Sequence, residues 1–443
     1  MATGHVTDAC RRLASGLPRV LMIGGAAYTT RFVADLSRQI AASGRFRLSS
    51  LGLGDTTAAR SELDAATFTH QLTIPPAPAR PRTALELARL IPALVGAVAI
   101  REPSWAVSAS AHVRRPFRQR LARRLGAQQY RSALGRVIAD YDIYHYHSLE
   151  TARLSVLWLL PADARVILSV WGSDLLRSAG TLEYADQLAA CERANVITVT
   201  SLEIREILLS KFGRHLAPKI RLALLGVSLL DEIDRSGGNR DLFLESLGVS
   251  PDRVTICIGN NASPGNQHLK VVDRLSQLPE RYRSRVTLLV PLSYRPANRD
   301  YRASLCAALE KGHLSYSVLD RALSDREVAM LRCTTDILIH LPVSDAFSAA
   351  MLETVYAGGL LITGTWLPYS ELRRAHISFD AIASVDDLTD AVVTVLDNLD
   401  ARRRAAKDNR RRVRALVHPT HTVRTWIRIY DELLETPDWS AAS

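Results

Sequence analysis

Residues 254–268 read VTICIGNNASPGNQH. Val254 to Ile258 is a short apolar run rich in β-branched residues, the pattern of a buried strand. Gly259-Asn260-Asn261 ends it, and a helical stretch runs from His268 to Leu278. Strand, polar turn and helix together form the opening unit of a doubly wound α/β domain. The same opening occurs once before: Val20 to Ile23, then Gly24-Gly25, then a periodic segment from Tyr28 to Ile40 with Phe32, Leu36 and Ile40 on one face. Two openings predict two lobes. Ile143–His147, Arg165–Trp171 and Val196–Thr200 read as strands of the first. Val286–Pro291, Asp336–His340 and Leu360–Thr363 read as strands of the second, with a helix at Asp300–Lys311. Short buried strands alternating with helices predict parallel sheets. The seam is placed at Asp231–Arg240, where Ser236-Gly237-Gly238-Asn239 suits a hinge. The expected division is 1–235, 236–420 and a terminal helix, 421–443, that returns to the first lobe.

A chain of 443 residues exceeds one ordinary core, and 47% hydrophobic with 23% charged residues is a globular composition. The formal net charge of +11 favours anionic partners, the plainer alternative being a solvated basic face. Cys10, Cys191, Cys257, Cys306 and Cys333 include no CxxC pair and no histidines at zinc spacing, which suits a reducing compartment. Met1 to Gly16 lacks the apolar core of a signal peptide. No apolar run reaches the ~18 residues that cross a bilayer; Ile91 to Ile100 is too short and contains Pro92. The expectation is a cytoplasmic protein.

Residues 80–136 stand apart. Arg82, Arg89, Arg101, Arg114, Arg115, Arg118, Arg120, Arg123, Arg124, Arg131 and Arg136 are interleaved with Leu85, Leu90, Trp105, Phe117 and Leu121. That mixture suits an anionic lipid surface, so a peripheral position on the inner face of the plasma membrane is expected. The other reading is helices with basic outer faces packed on the lobe. A second basic run, Arg402 to Arg414, reads as a solvated helix face. The aromatics form no stacking platform and no DNA-binding motif is present, so nucleic acid is not an expected partner.

The chemistry concentrates in Ser344 to Gly359, SDAFSAAMLETVYAGG. With a helix opening near Ser348, its free backbone N–H groups and positive dipole end favour a phosphate. Glu353, in the second turn, can accept two hydrogen bonds from a ribose diol. The stretch resembles the acid-x7-acid motif of GT-B glycosyltransferases similar to glycosyltransferase family 4. The resemblance implies an α/β, GT-B fold: two Rossmann-like doubly wound lobes facing a central cleft. It also implies that Asp345 takes the first acid and faces the donor sugar, that Phe347 takes the aromatic position, and that Glu353 faces the ribose. Aspartate replaces the usual first glutamate, and Ala346 and Ser348 replace proline and glycine.

Asn260 to His268 is a polar loop between strand and helix, a phosphate-binding design or a helix-capping loop with no ligand. Asn260, Asn261, His268 and Lys270 are its donor-side candidates. Together with Pro291–Tyr294 and Asn298–Tyr301 the loop resembles, more weakly, transferases that add 4-acetamido-4,6-dideoxygalactose to a lipid-linked intermediate. That resemblance implies that Ser293 and Tyr294 line the nucleotide cleft.

In the first lobe DIYHYHSLE, Asp142 to Glu150, closes a strand. His147 is placed as a proton acceptor or sugar-hydroxyl partner, with a packed histidine the alternative; His145 is expected on the opposite face. VWGSDL, Val170 to Leu175, resembles the family 4 His-Gly-Ser-Asp loop, with Trp171 in the histidine's place. Asp174 is a candidate base or an N-cap. Gly24, Gly25 and Trp171 fall on the acceptor side.

Neither lobe shows G-x-G-x-x-G and no metal-ligand cluster is evident, so no cofactor or metal is expected beyond a nucleotide-diphosphate sugar as co-substrate. The functional expectation is transfer of a hexose or deoxyhexose to a lipid-linked or polysaccharide acceptor, with retention favoured over inversion. The alternatives are a nucleotide-sugar 2-epimerase and a catalytically degenerate scaffold.

Overall fold

The computed structural model describes residues 16–23, 31–53, 70–74, 141–150, 154, 156–157, 160–178, 180–238, 240–293 and 299–435. Gly24, Gly25, Tyr294 and the basic segment 80–136 lie outside them. The chain forms two compact units, one of Met1–Val199, Leu208–Arg221 and Thr425–Ser443, the other of Thr200–Ile207 and Leu222–Arg424.

The first unit is built on a seven-stranded sheet in the order β3-β2-β1-β4-β5-β6-β7. Its strands are β1 (Arg19–Ile23), β2 (Arg47–Leu53), β3 (His70–Ile74), β4 (Ile143–His147), β5 (Val166–Ser169), β6 (Val196–Val199) and β7 (Ile220–Leu222). Strand β1 lies parallel to both β2 and β4, with Val20 opposite Leu48 and Leu21 opposite Tyr144. Every residue of β4 is buried, as expected of a strand covered on both faces. Helix α1 (Arg31–Ala42) turns Val33, Leu36 and Ile40 into the core, while Phe32 is only half-buried. Helices α2 (Thr181–Arg193) and α3 (Leu202–Phe212) follow, α3 being divided between the two units.

The second unit repeats the topology with six strands, β10-β9-β8-β11-β12-β13. They are β8 (Val254–Ile258), β9 (Val286–Pro291), β10 (Tyr316–Leu319), β11 (Ile337–His340), β12 (Leu360–Gly364) and β13 (Asp380–Ile382). The two-residue alternation of a strand divides its apolar side chains between two cores. Ile256, Ile258, Leu288, Val290, Ile337, Ile339 and Ile362 enter one; Cys257, Leu289, Leu338 and Leu361 enter the other. Helices cover both faces. Leu230 and Ile233 of α4 (Leu230–Ser236) enter the second core. Val271, Val272 and Leu275 of α5 (His268–Ser276) and Leu305 and Leu309 of α6 (Arg299–Lys311) enter the first. Ala329 and Leu331 of α7 (Asp325–Thr334) and Met351, Leu352 and Val355 of α8 (Ala349–Ala357) enter the second. Helix α9 (Pro419–Glu435) begins in the second unit, and from Thr425 on it belongs to the first, where Trp426, Ile429, Tyr430 and Leu433 are buried.

The stretch Asp231–Arg240, read as a hinge, lies wholly inside the second unit. Burial of Leu230 and Ile233, worth ~1.5–3 kcal/mol each, ties α4 to the sheet despite the glycines that follow it. Among the described residues no helix is long and apolar enough to cross a membrane.

Candidate functional site

In each sheet the strand order reverses between the first and fourth strands. Ligands of doubly wound domains bind beyond the carboxyl ends of the strands at such a switch point. In the second unit those ends are Ile258 of β8 and His340 of β11, so the loops 259–267 and 341–348 flank it.

Helix α8 begins after the second of these loops. Ser348 is its N-cap but makes no side-chain capping bond, and its first turn carries no acid. The N–H groups of that turn therefore keep their capacity for an external anion. At the other end Gly358 takes a left-handed conformation, φ 103°, and the N–H of Gly359 reaches the Thr354 carbonyl at 2.9 Å. This closure explains the small residue after Ala357.

Asp345 is held from behind. The Tyr369 hydroxyl donates to its Oδ2 at 2.6 Å. That single proton being committed, the phenol oxygen accepts from Nε2 of His340, 2.9 Å away. His340 Nε2 itself stands 3.7 Å from Asp345 Oδ2, and the His340 and Tyr369 rings are stacked. Burial disfavours the Asp345 carboxylate, but the neighbouring His340 imidazole and the Tyr369 hydrogen bond outweigh it and bring its pKa below the usual value. Tyr369 shifts the opposite way: burial, then the Asp345 charge, raises its pKa well above 10. Phe347 packs edge-on against Tyr369 at 6.3 Å.

Glu353, one turn further along α8, is buried at 7% exposure and accepts from Nε of the equally buried Arg332 on α7 at 3.1 Å. The pair occupies Oε2 and leaves Oε1 outside that bond. A buried ion pair of this kind is costly to break from one side, about 3–5 kcal/mol.

The loop after β8 is organised by Asn261. Its Oδ1 accepts from the Ser263 N–H at 2.8 Å and from Asn266 Nδ2 at 3.0 Å, and its own Nδ2 donates to Asn260 Oδ1 at 3.0 Å. Gln267 donates to the Leu341 carbonyl at 2.8 Å, fastening this loop to the next. His268 is completely buried beneath it, with Nδ1 2.9 Å from the Tyr301 hydroxyl. Gly259 has φ 67°, and a Cβ there would run into His268 Nε2, so histidine and glycine require each other. Burial lowers the His268 pKa to about 4, against an opposing contribution from the Ile258 carbonyl. Lys270 is exposed and lines an open depression of about 600 Å³ with Gln267, Arg274, Val343 and Trp366. Ser293 is half-buried, just beyond the end of β9.

The described residues at the switch point of the first unit are arranged differently. His145 and His147 lie on the same face, ring centroids 4.0 Å apart. The expected opposition fails because residues two apart in a strand share a face. His145 stands 2.7 Å from both the Tyr430 hydroxyl and the Ser169 hydroxyl. Burial, then the neighbouring His147, lowers its pKa well below 6.5. His147 is buried and stacked on Trp171 at 5.7 Å, and Trp171 packs against Phe32 at 5.0 Å. Trp171 thus completes an aromatic stack with His147 and Phe32.

Asp174 accepts from the N–H groups of Leu149 at 2.8 Å, Trp171 at 3.0 Å and Leu175 at 3.0 Å. It binds the loops after β4 and β5 together; the short helix Ser173–Leu176 has Gly172 as its N-cap, so Asp174 lies inside the first turn and is not the cap. Burial raises its pKa, with the backbone bonds opposing. Ser148, between these residues, has φ 108°, rare for a non-glycine residue.

Sequence reading missed Arg332, His340 and Tyr369. Only His340 carried a local signal, as a histidine at the carboxyl end of a predicted strand. Among the described residues no cluster of three or more His, Cys, Asp or Glu could hold a metal ion.

No family model matches the chain, and no curated protein does. Solved structures match over nearly its full length. A glycosyltransferase from Rickettsia africae is 14% identical, with a TM-score of 0.67, covering 95% of this chain and 99% of its own. Sucrose-phosphate synthase from Thermosynechococcus elongatus is 15% identical at a TM-score of 0.66, covering 97% and 100%. HepE of Anabaena, solved in complex with UDP and glucose, is 12% identical at 0.64, covering 94% and 100%. These neighbours are GT-B glycosyltransferases. The fold is therefore α/β of the GT-B type, with two Rossmann-like lobes.

Proposed function

We propose that this chain is a glycosyltransferase moving a hexose or deoxyhexose from a nucleotide-diphosphate sugar to a lipid-linked or glycan acceptor. The observation that carries the reading is the placement of Asp345, Glu353 and the uncapped start of α8 together at the switch point of the second sheet in a GT-B fold. In this reading the N–H groups of α8 stabilise the diphosphate as it departs, the largest electrostatic contribution to the rate. Glu353 accepts from the ribose hydroxyls, and Asp345 from the sugar. The first unit takes the acceptor. His145, His147 and Asp174 are engaged in packing and loop fastening, which makes retention, without a base from these three, the favoured course. No resident metal takes part.

A thermal-shift screen of UDP, GDP and dTDP with their sugars tests the reading, because a ligand of the folded state alone raises the melting temperature. A shift with one nucleotide, unchanged by EDTA, is expected. No shift with any would favour the scaffold reading, to which the engagement of Glu353 by Arg332 and the replacement of histidine by Trp171 point. A sugar isomer formed without acceptor would favour the 2-epimerase.

The composition of 80–136 supports docking on an anionic membrane from the cytoplasmic side. Replacing Arg114, Arg115, Arg118 and Arg120 with glutamine should weaken binding to phosphatidylserine vesicles by about 1 kcal/mol per charge. Unchanged vesicle binding would end that part of the reading.

A further inference from the structure

We propose that Tyr369 and His340 are positioning residues that fix the Asp345 carboxylate for the donor sugar. The inference rests on the reading of Asp345 as the sugar-facing acid and goes beyond it by naming what aims that acid.

Both positioning groups are almost wholly buried, Tyr369 at 1% and His340 at 2%, whereas the Asp345 side chain is 26% exposed. The chain from His340 Nε2 through the Tyr369 hydroxyl to Asp345 Oδ2 thus starts in the interior and ends at the surface of the switch point. Each member is fixed independently. His340 closes β11, paired with Thr363 across the sheet. The Tyr369 ring is pinned between the stacked imidazole and the edge of Phe347. A carboxylate with one oxygen fixed has its other oxygen aimed in one direction, and a preorganised acceptor loses little entropy when it binds a hydroxyl. Aspartate has one rotatable bond fewer than the glutamate usual in the related motif. Buried support and a shorter side chain give the same result, a carboxylate with a single orientation.

The test uses the full-length protein and calorimetric titration with three pairs: UDP and UDP-glucose, GDP and GDP-mannose, dTDP and dTDP-glucose. For the pair that binds, Tyr369→Phe keeps the ring packing and removes the hydroxyl. It should leave nucleoside diphosphate affinity unchanged and reduce nucleotide-sugar affinity about tenfold to a hundredfold, the worth of a hydrogen bond to a charged group. Asp345→Asn should do the same, and the double variant should be no worse than Asp345→Asn alone. His340→Gln, which keeps a donor near the Nε2 position, should retain more sugar affinity than His340→Leu. Additive losses in the double variant, or equal losses of sugar and diphosphate affinity, would overturn the positioning role and leave the transferase reading standing. A wild-type protein that binds none of the three pairs would overturn the transferase reading itself, and this inference with it. Thermal unfolding of each variant identifies any that fails to fold; for such a variant the comparison of His340→Gln with His340→Leu decides.

Discussion

The two units use one strand order for two different purposes. At the end of β4 in the first, His145 and His147 are buried, His147 stacks on the half-buried Trp171, and Asp174 is spent on three backbone N–H groups. Beyond β11 in the second, a helix starts without a cap, and one acid, Asp345, remains partly exposed. Topology supplies the crevice; side chains decide which of its polar groups are tied up in packing and which stay partly exposed. The difference teaches that a histidine or aspartate at the end of a strand is not evidence of chemistry until its partners are known.

The comparison can be broken by mutation. The largest effect is expected at the buried pair. Arg332→Ala strands Glu353 as an uncompensated buried charge and should cost about 3–5 kcal/mol of second-unit stability, read by denaturant unfolding. A loss below 1 kcal/mol would show that the pair is not buried in solution.

Next comes the pH dependence of the loop after β8. His268 has a folded pKa of about 4, against 6.5 ordinarily. Between those values the unfolded chain binds a proton that the folded one refuses. Stability should therefore fall as pH drops from about 6.5 to about 4, by about 3 kcal/mol in total. His268→Gln should flatten that slope, and an unchanged slope would remove His268 as its cause.

The third prediction sharpens the functional side. Glu353→Gln keeps an acceptor for Arg332 while discarding the charge, and should weaken nucleotide-sugar binding by about 1.5–3 kcal/mol. Unchanged affinity in a folded variant would dismiss the ribose assignment. The smallest effect is expected in the first unit, where Asp174→Asn should cost about 1 kcal/mol of stability and leave nucleotide affinity untouched. Lost nucleotide affinity would overturn the contrast between the units.

Much of the fold was legible because buried parallel strands announce themselves locally. Val254–Ile258, Val286–Pro291 and Ile143–His147 stand where the apolar runs put them. Strand β13, three residues long with two of them partly or wholly exposed, gave no such run. The hinge was misplaced because Ser236-Gly237-Gly238 looks like a linker in one dimension, while the anchoring of Leu230 and Ile233 is a tertiary fact. The spacing of Asp345, in the loop, and Glu353, on α8, could be read from one local stretch. Their partners could not: Arg332 and Tyr369 lie 21 and 24 residues away, and such pairings leave no periodic trace. The histidine pair was misjudged on a simple point of strand geometry.

Helix α9 has a consequence for the order of assembly. Tyr430 bonds to His145 and packs edge-on against Phe46 at 5.2 Å, and Trp426 packs on the same His145 ring at 5.3 Å. Those residues leave the ribosome only after every residue of the second unit. Synthesis therefore completes the second unit first, and the unit begun earliest waits with its β4 face uncovered. During that interval the face of β1 and β4 that receives Tyr430 stays uncovered, the kind of surface a chaperone would shield.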